Sequence, residues 1–242
     1  MNIDLKGISK SYEKPVFNNI KFKLDSYNTI AIIGKSGCGK STLLRLMAGI
    51  ESTDEGEIHI NGHEVDPEGS RKNLTEYHRS IGIVFQQHNL FPHLSLLENI
   101  TLILEKTRGM AAEKANNQAM NLLKRLHLEE EASKKPNFVS GGQAQRASIA
   151  RALATEPELV FMDEPTASLD PILTREVLDA VLGLKSTGTK FIFVTHEIDF
   201  VRQFAEYVLF MDEGDIAEHG EVDILNTPQT KELERFLKSE RS

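Results

Sequence analysis

The sequence has one cysteine, Cys38, and no tryptophan. A single thiol excludes an intramolecular disulfide framework and any zinc site built from several thiolates. No apolar run approaches the roughly eighteen residues needed for a membrane-spanning helix. Met1 to Lys10 alternates in polarity and lacks the apolar core of a signal peptide. Positive charge is also short: 28 Lys and Arg against 36 Asp and Glu leave a net charge of −8. Such a chain is a poor general nucleic-acid binder, because that affinity comes mostly from cations on phosphate. The same charge argues against lying directly on an anionic membrane. These absences predict a soluble, reduced, cytosolic protein and are silent on its activity.

What is present is ordinary for a globular protein: 242 residues, 40% hydrophobic and 26% charged. At about 150 residues per domain, that is one large or two small domains with material for a substantial core. Ile3 and Leu5, then Phe17, Ile20, Phe22 and Leu24, alternate with polar residues and predict two strands with a turn near Glu13 to Pro15. Ile30 to Ile33 reads as a strand buried on both faces. A helix pattern follows, with Leu43, Leu46, Met47 and Ile50 on one face. Asn61-Gly62 predicts a hairpin turn. From about Leu96 to Glu131 the chain turns helical and reads as an inserted subdomain. Gln143 to Ala154 reads as a further helix. Strands and helices then alternate through Leu159–Met162, Pro171–Leu184, Phe191–Val194, Ile198–Phe204 and Tyr207–Met211, which predicts an α/β core with a parallel sheet. A last helix is expected to start at Thr227, with Pro228 in its first turn.

Gly34-Lys35-Ser36-Gly37-Cys38-Gly39-Lys40-Ser41, followed by Thr42, matches the phosphate-loop pattern. The glycines let successive N–H groups curl around phosphate oxygens. The helix starting near Lys40 adds its positive end. Lys40 brings charge to the β- and γ-phosphates, and the Ser41 hydroxyl can ligate Mg²⁺. Cys38 lies inside this loop, either as a small residue that fits or as a helix-N-terminal thiol of lowered pKa. Leu159 to Met162 is an apolar strand running into Asp163 and Glu164. Both acids are thereby placed at the strand's C-terminal edge, where ligands of open α/β sheets bind. Asp163 is suited to the Mg²⁺ shell, and Glu164 could take a proton from a water attacking the γ-phosphate.

With Ser140-Gly141-Gly142-Gln143 and the helix Ala144 to Leu153, the sequence resembles the ATPase subunits of ATP-binding cassette transporters. The resemblance spans nearly the whole chain. It implies an α/β P-loop NTPase core with a mainly parallel sheet, an antiparallel β subdomain and an inserted α-helical subdomain. The core would be about residues 1–90 and 155–242, the helical part about 91–154, and the whole a single ATPase domain. In this resemblance Tyr12 matches the aromatic that stacks on adenine, and Gln86 the Q-loop glutamine that senses metal or water. Ser168-Leu169-Asp170 matches the D-loop, and His196 the residue that orients the γ-phosphate and attacking water. ATP and Mg²⁺ are the implied cofactors. The implied partners are a second copy, joined head to tail so that each Ser140–Gln143 segment, the family's signature motif, completes the other's ATP site, membrane permease subunits, and indirectly a substrate-binding protein. The missing membrane segment then places that part on another chain, with this one docked at the cytoplasmic face. Three departures stand out: Val139 where Leu is usual, Ala144 for a polar residue, and Lys135-Pro136 for an aromatic-Pro pair. None removes a catalytic group.

Thr195 to Glu206, continuing through Gly214, and Asn89 to Leu94 resemble the polar amino-acid importers. The rivals are a lipoprotein-release or cell-division cassette, a soluble cassette acting on nucleic acid or ribosomes, and an adaptor that has lost hydrolysis. Net charge and the single cassette weigh against the nucleic-acid reading; Glu164 and His196 weigh against the adaptor. Leu90, Phe91, Leu94, Leu96 and Leu97 could line a groove for a membrane subunit or simply belong to the core.

Overall fold

The first strand, β1 (Asn2–Ser11), buries Ile3, Leu5 and Ile8 on one face, and β2 (Pro15–Asp25) buries Phe17, Ile20, Phe22 and Leu24. The period of two therefore survives into an antiparallel pair, with Ile3 opposite Leu24 and Leu5 opposite Phe22. β3 (Thr29–Gly34) is buried along its whole length, and α1 (Lys40–Met47) follows it. β4 (Glu55–Ile60) and β5 (His63–Glu64) form the expected hairpin. Asn61 and Gly62 both take positive φ, 50° and 84°, as a type I′ turn requires. These strands make an antiparallel sheet in the order β2-β1-β4-β5. α2 (Arg71–Ser80) comes next and holds Tyr77, whose hydroxyl donates to the Met47 carbonyl at 2.6 Å.

The computed structural model describes residues 1–167, 169–184 and 188–240. The chain divides into two compact units, Met1–His78 with Lys190–Ser242, and Arg79–Thr189. The second unit opens with β6 (Ile81–Val84). α3 (Leu96–Arg108) begins with a capping box between Ser95 and Glu98 and ends at Gly109, φ 62°. α4 (Ala112–Arg125) packs on it. A 3₁₀ turn at Pro136–Phe138 leads into α5 (Gly141–Leu153). β7 (Leu159–Asp163) runs parallel to β6, and α6 (Pro171–Leu182) follows, capped by Asp170. Ser168 of the expected D-loop lies outside the described residues.

The chain then returns to the first unit with β8 (Lys190–Val194), α7 (Ile198–Phe204), β9 (Tyr207–Asp212) and β10 (Asp215–Glu221). β8 and β9 flank β3, both parallel to it, and β10 closes on β9 antiparallel. Phe191, Phe193, Phe200 and Phe204 pack together on this sheet, with ring centroids 5.1 to 5.5 Å apart.

The last helix, α8 (Lys231–Ser239), starts later than Thr227-Pro228 suggests. Its N-cap is Thr230, whose hydroxyl accepts from Leu233 N–H. The buried Glu218 carboxylate decides this: it accepts from Gln229 N–H, Thr230 N–H and the Thr230 hydroxyl at 2.9, 2.8 and 2.5 Å. Among the described residues no helix is long and apolar enough to cross a membrane.

Candidate functional site

In the first unit, the phosphate loop joins β3 to α1. Gly34 (φ 147°) has no room for a side chain, since a Cβ would sit 2.2 Å from the Met211 carbonyl oxygen. Gly39 (φ 102°) caps α1, and a Cβ there would sit 2.4 Å from the Phe17 ring. The Lys40 side chain is buried, and its ammonium donates to the Gly34 and Lys35 carbonyls at 2.8 and 2.9 Å. The loop is thus curled around its own cation. Ser41 and Thr42 occupy the first turn of α1, where N–H groups point outward along the helix axis.

Cys38 departs from the reactive-thiol expectation. It is 7% exposed, and burial pushes its thiol pKa up, outweighing the nearby Lys40 charge. The small-residue reading stands, since Sγ would lie only 3.0 Å from a Cβ added at Gly34.

β8 leaves the sheet at the same edge. Ile32 of β3 is level with Val194 of β8, so the phosphate loop and Thr195-His196 emerge side by side. The Thr195 hydroxyl accepts from Glu197 N–H at 3.1 Å, fixing the turn that carries the half-buried His196. Tyr12 lies just past β1, 57% exposed, and is not a core aromatic.

In the second unit, the same parallel logic applies to β6 and β7. Val84 is level with Met162, so Phe85-Gln86 and Asp163-Glu164 leave one edge together. Asp163 is 2% exposed, whereas Gln86 is exposed. Glu164 holds φ 44°, a left-handed conformation rare for a residue with a Cβ. Strain of this kind gathers at functional positions.

Ser140 is the N-cap of α5, in a capping box: Gln143 N–H donates to its hydroxyl and Ser140 N–H donates to Gln143 Oε1. One of the N–H groups in the first turn of α5 is therefore already satisfied within the chain. Gly141 and Gly142 leave room for Leu169 and Leu173, whose side chains lie 3.0 and 3.1 Å from where a Cβ would be. The signature glycines thus seat the segment of Asp170, whose carboxylate caps α6 by accepting from Ile172 and Leu173 N–H.

Three side chains escaped the sequence reading. Gln145, fully buried, donates to the Phe85 carbonyl at 3.4 Å and accepts from His88 Nδ1 at 2.5 Å. Arg151 donates to the Asn89 carbonyl at 2.7 Å. Both pin the segment after Gln86 to the signature helix. The third, Glu51, holds the Tyr12 phenol. Of the apolar residues after Gln86, Leu96 is core and Phe91 is 42% exposed.

A glycine loop closed on a buried lysine, ahead of a helix N-terminus, and an apolar strand tipped by two acids define a P-loop nucleoside triphosphatase. Residues 17–167 match the family model described as ABC transporter. The chain is 40% identical to the glutamate transport ATP-binding protein GluA of Corynebacterium efficiens, covering 97% of each. It is 38% identical to the arginine transport ATP-binding protein ArtP of Haemophilus influenzae, over 98% of this chain and 99% of that one. The dimeric, post-hydrolysis structure of the ATP-binding cassette MJ0796 with ADP and phosphate superposes with a TM-score of 0.81 and 33% identity, covering 91% of this chain and 98% of that one. The chain belongs to the ABC transporter family, as an ATP-hydrolysing cassette.

Proposed function

We propose that this cassette powers the uptake of polar amino acids through membrane permease subunits. In this reading a binding protein delivers the solute, and the cassette sits at the cytoplasmic face of the membrane as one 1–242 ATPase domain. The buried Lys40 ammonium, held by two loop carbonyls, carries the nucleotide part of the reading. The transported class rests on relatives named for glutamate, arginine and glutamine transport.

The roles follow from the chemistry of each side chain. Tyr12 stacks on adenine, and the loop N–H groups of Gly34 to Thr42 cradle the phosphates. Lys40 draws negative charge from the β- and γ-phosphates. The Ser41 hydroxyl, Asp163 carboxylate and Gln86 amide oxygen are hard oxygen donors of the kind Mg²⁺ takes. The bound ion would neutralise charge on the phosphate oxygens. Glu164 accepts a proton from the attacking water, and His196 orients that water and the γ-phosphate. Ser140, Gly141, Gly142 and Gln143 engage the γ-phosphate held by a second copy, with Asp170 beside them. ATP then joins two chains head to tail, and hydrolysis releases them. This is a switch that works through different affinities for the ATP and ADP states.

The test is to purify the cassette with its membrane partners, reconstitute it in vesicles and supply the binding protein with single amino acids. Stimulation of ATP hydrolysis by polar amino acids supports the reading. Stimulation by a lipoprotein instead would favour the release-type alternative.

A further inference from the structure

Tyr12 is one of the few large hydrophobic side chains left exposed among the described residues, yet it is not loose. Its hydroxyl donates to a Glu51 carboxylate oxygen and also meets the Thr42 side chain. The other Glu51 oxygen faces Arg45 Nη1 at 3.6 Å. Over the ring stands the Lys10 ammonium, 5.5 Å from the centroid. Lys10 is itself fixed by the Ser52 carbonyl at 2.8 Å and Asp54 at 3.1 Å. One face of the ring is therefore covered by a cation, and its hydroxyl end is tied to the helix that starts with Lys40 and Ser41. An exposed tyrosine on a strand end would otherwise sample several rotamers and lose that freedom when a base stacks on it.

We propose that Glu51 is a positioning residue for purine binding: it locks the Tyr12 ring to α1, while Lys10 closes one face so that a base stacks on the other. The proposal rests on the reading of Tyr12 as the adenine platform. It goes further by making the platform and the phosphate-binding helix one rigid piece.

Titration calorimetry with a β,γ-imido analogue of ATP, and in parallel with inorganic tripolyphosphate, which has no base, tests it. Tyr12→Ala should weaken the analogue about tenfold, the scale of one base-aromatic stack. Glu51→Ala should weaken it about threefold, a fraction of that stack, and leave tripolyphosphate unchanged. Glu51→Gln, which keeps an acceptor for the phenol but not the charge facing Arg45, should behave as wild type. The double variant Tyr12→Phe with Glu51→Ala should be no weaker than Tyr12→Phe alone. In turnover the Glu51→Ala loss should fall on KM rather than kcat. A neutral Tyr12→Ala would overturn the stacking platform itself. If Tyr12→Ala weakens binding, the Glu51 assignment alone is overturned by any one of four results: a neutral Glu51→Ala, an equal loss for tripolyphosphate, Glu51→Gln as weak as Glu51→Ala, or full additivity with Tyr12→Phe.

Discussion

Glu164 shows most clearly how one residue joins structure to chemistry. Its left-handed φ of 44° is a conformation that glycine adopts without cost. Glu164→Gly should therefore match the wild type in thermal unfolding or exceed it by up to about 1 kcal/mol, while ATP hydrolysis is lost. A clear destabilisation would show that the conformation carries no strain. Lys40 behaves differently: its ammonium is held by the Gly34 and Lys35 carbonyls, and in the proposed function phosphate oxygens take their place. Lys40→Ala should weaken ATP binding by at least about tenfold, the worth of a charge-assisted hydrogen bond, as read by calorimetry. Cys38 shows how a local rule is overridden. A thiol at a helix N-terminus should be acidified, but burial within the loop raises its pKa instead. Alkylation at neutral pH should accordingly be slow in the folded protein and fast in urea.

Elements are where legibility in the sequence varies most. Strands with strict alternation or continuous apolar runs, such as β1, β2, β3 and β7, are readable because one or both faces are buried. α2 is not, since Tyr77 is its only buried side chain and no apolar stripe marks it. β10 is hidden for a similar reason: its buried residue is a carboxylate, Glu218. That same carboxylate moves the start of α8 from Thr227 to Thr230, through partners eleven and twelve residues away. The candidate site is more legible than the fold around it, because its residues sit in contiguous motifs. What stays hidden are side chains paired across sequence, as Glu51 with Tyr12 and Gln145 with Phe85 and His88. Burial pushes the Glu218 pKa up, but hydrogen bonds from Thr230 and Gln229 outweigh it and hold the pKa below the usual glutamate value. Its stabilisation is therefore complete above the unfolded-state pKa and is lost as pH falls through the lower folded value. Glu218→Gln should cost about 2 kcal/mol at neutral pH. The loss should shrink in acid, and protease should cut first near α8. A pH-independent difference in unfolding would contradict this. At the other helix of interest, Ser140→Arg should cost about 1 kcal/mol of capping and leave ATP binding to one chain intact.

At the scale of the whole molecule, the net charge of −8 and the absence of a spanning helix among the described residues acquire a meaning they lacked alone. In the proposed function this chain reaches the membrane through permease subunits. The signature helix meets no phosphate of its own in the proposed cycle, so one chain is half of a working unit. Glu164→Gln tests this most directly, because it should keep ATP binding and stop turnover. Sedimentation velocity should show it monomeric without nucleotide and dimeric with Mg²⁺ and ATP. Adding Ser140→Arg should restore the monomer while ATP still binds. A Glu164→Gln protein that binds ATP and stays monomeric, or a dimer indifferent to Ser140→Arg, would contradict the account.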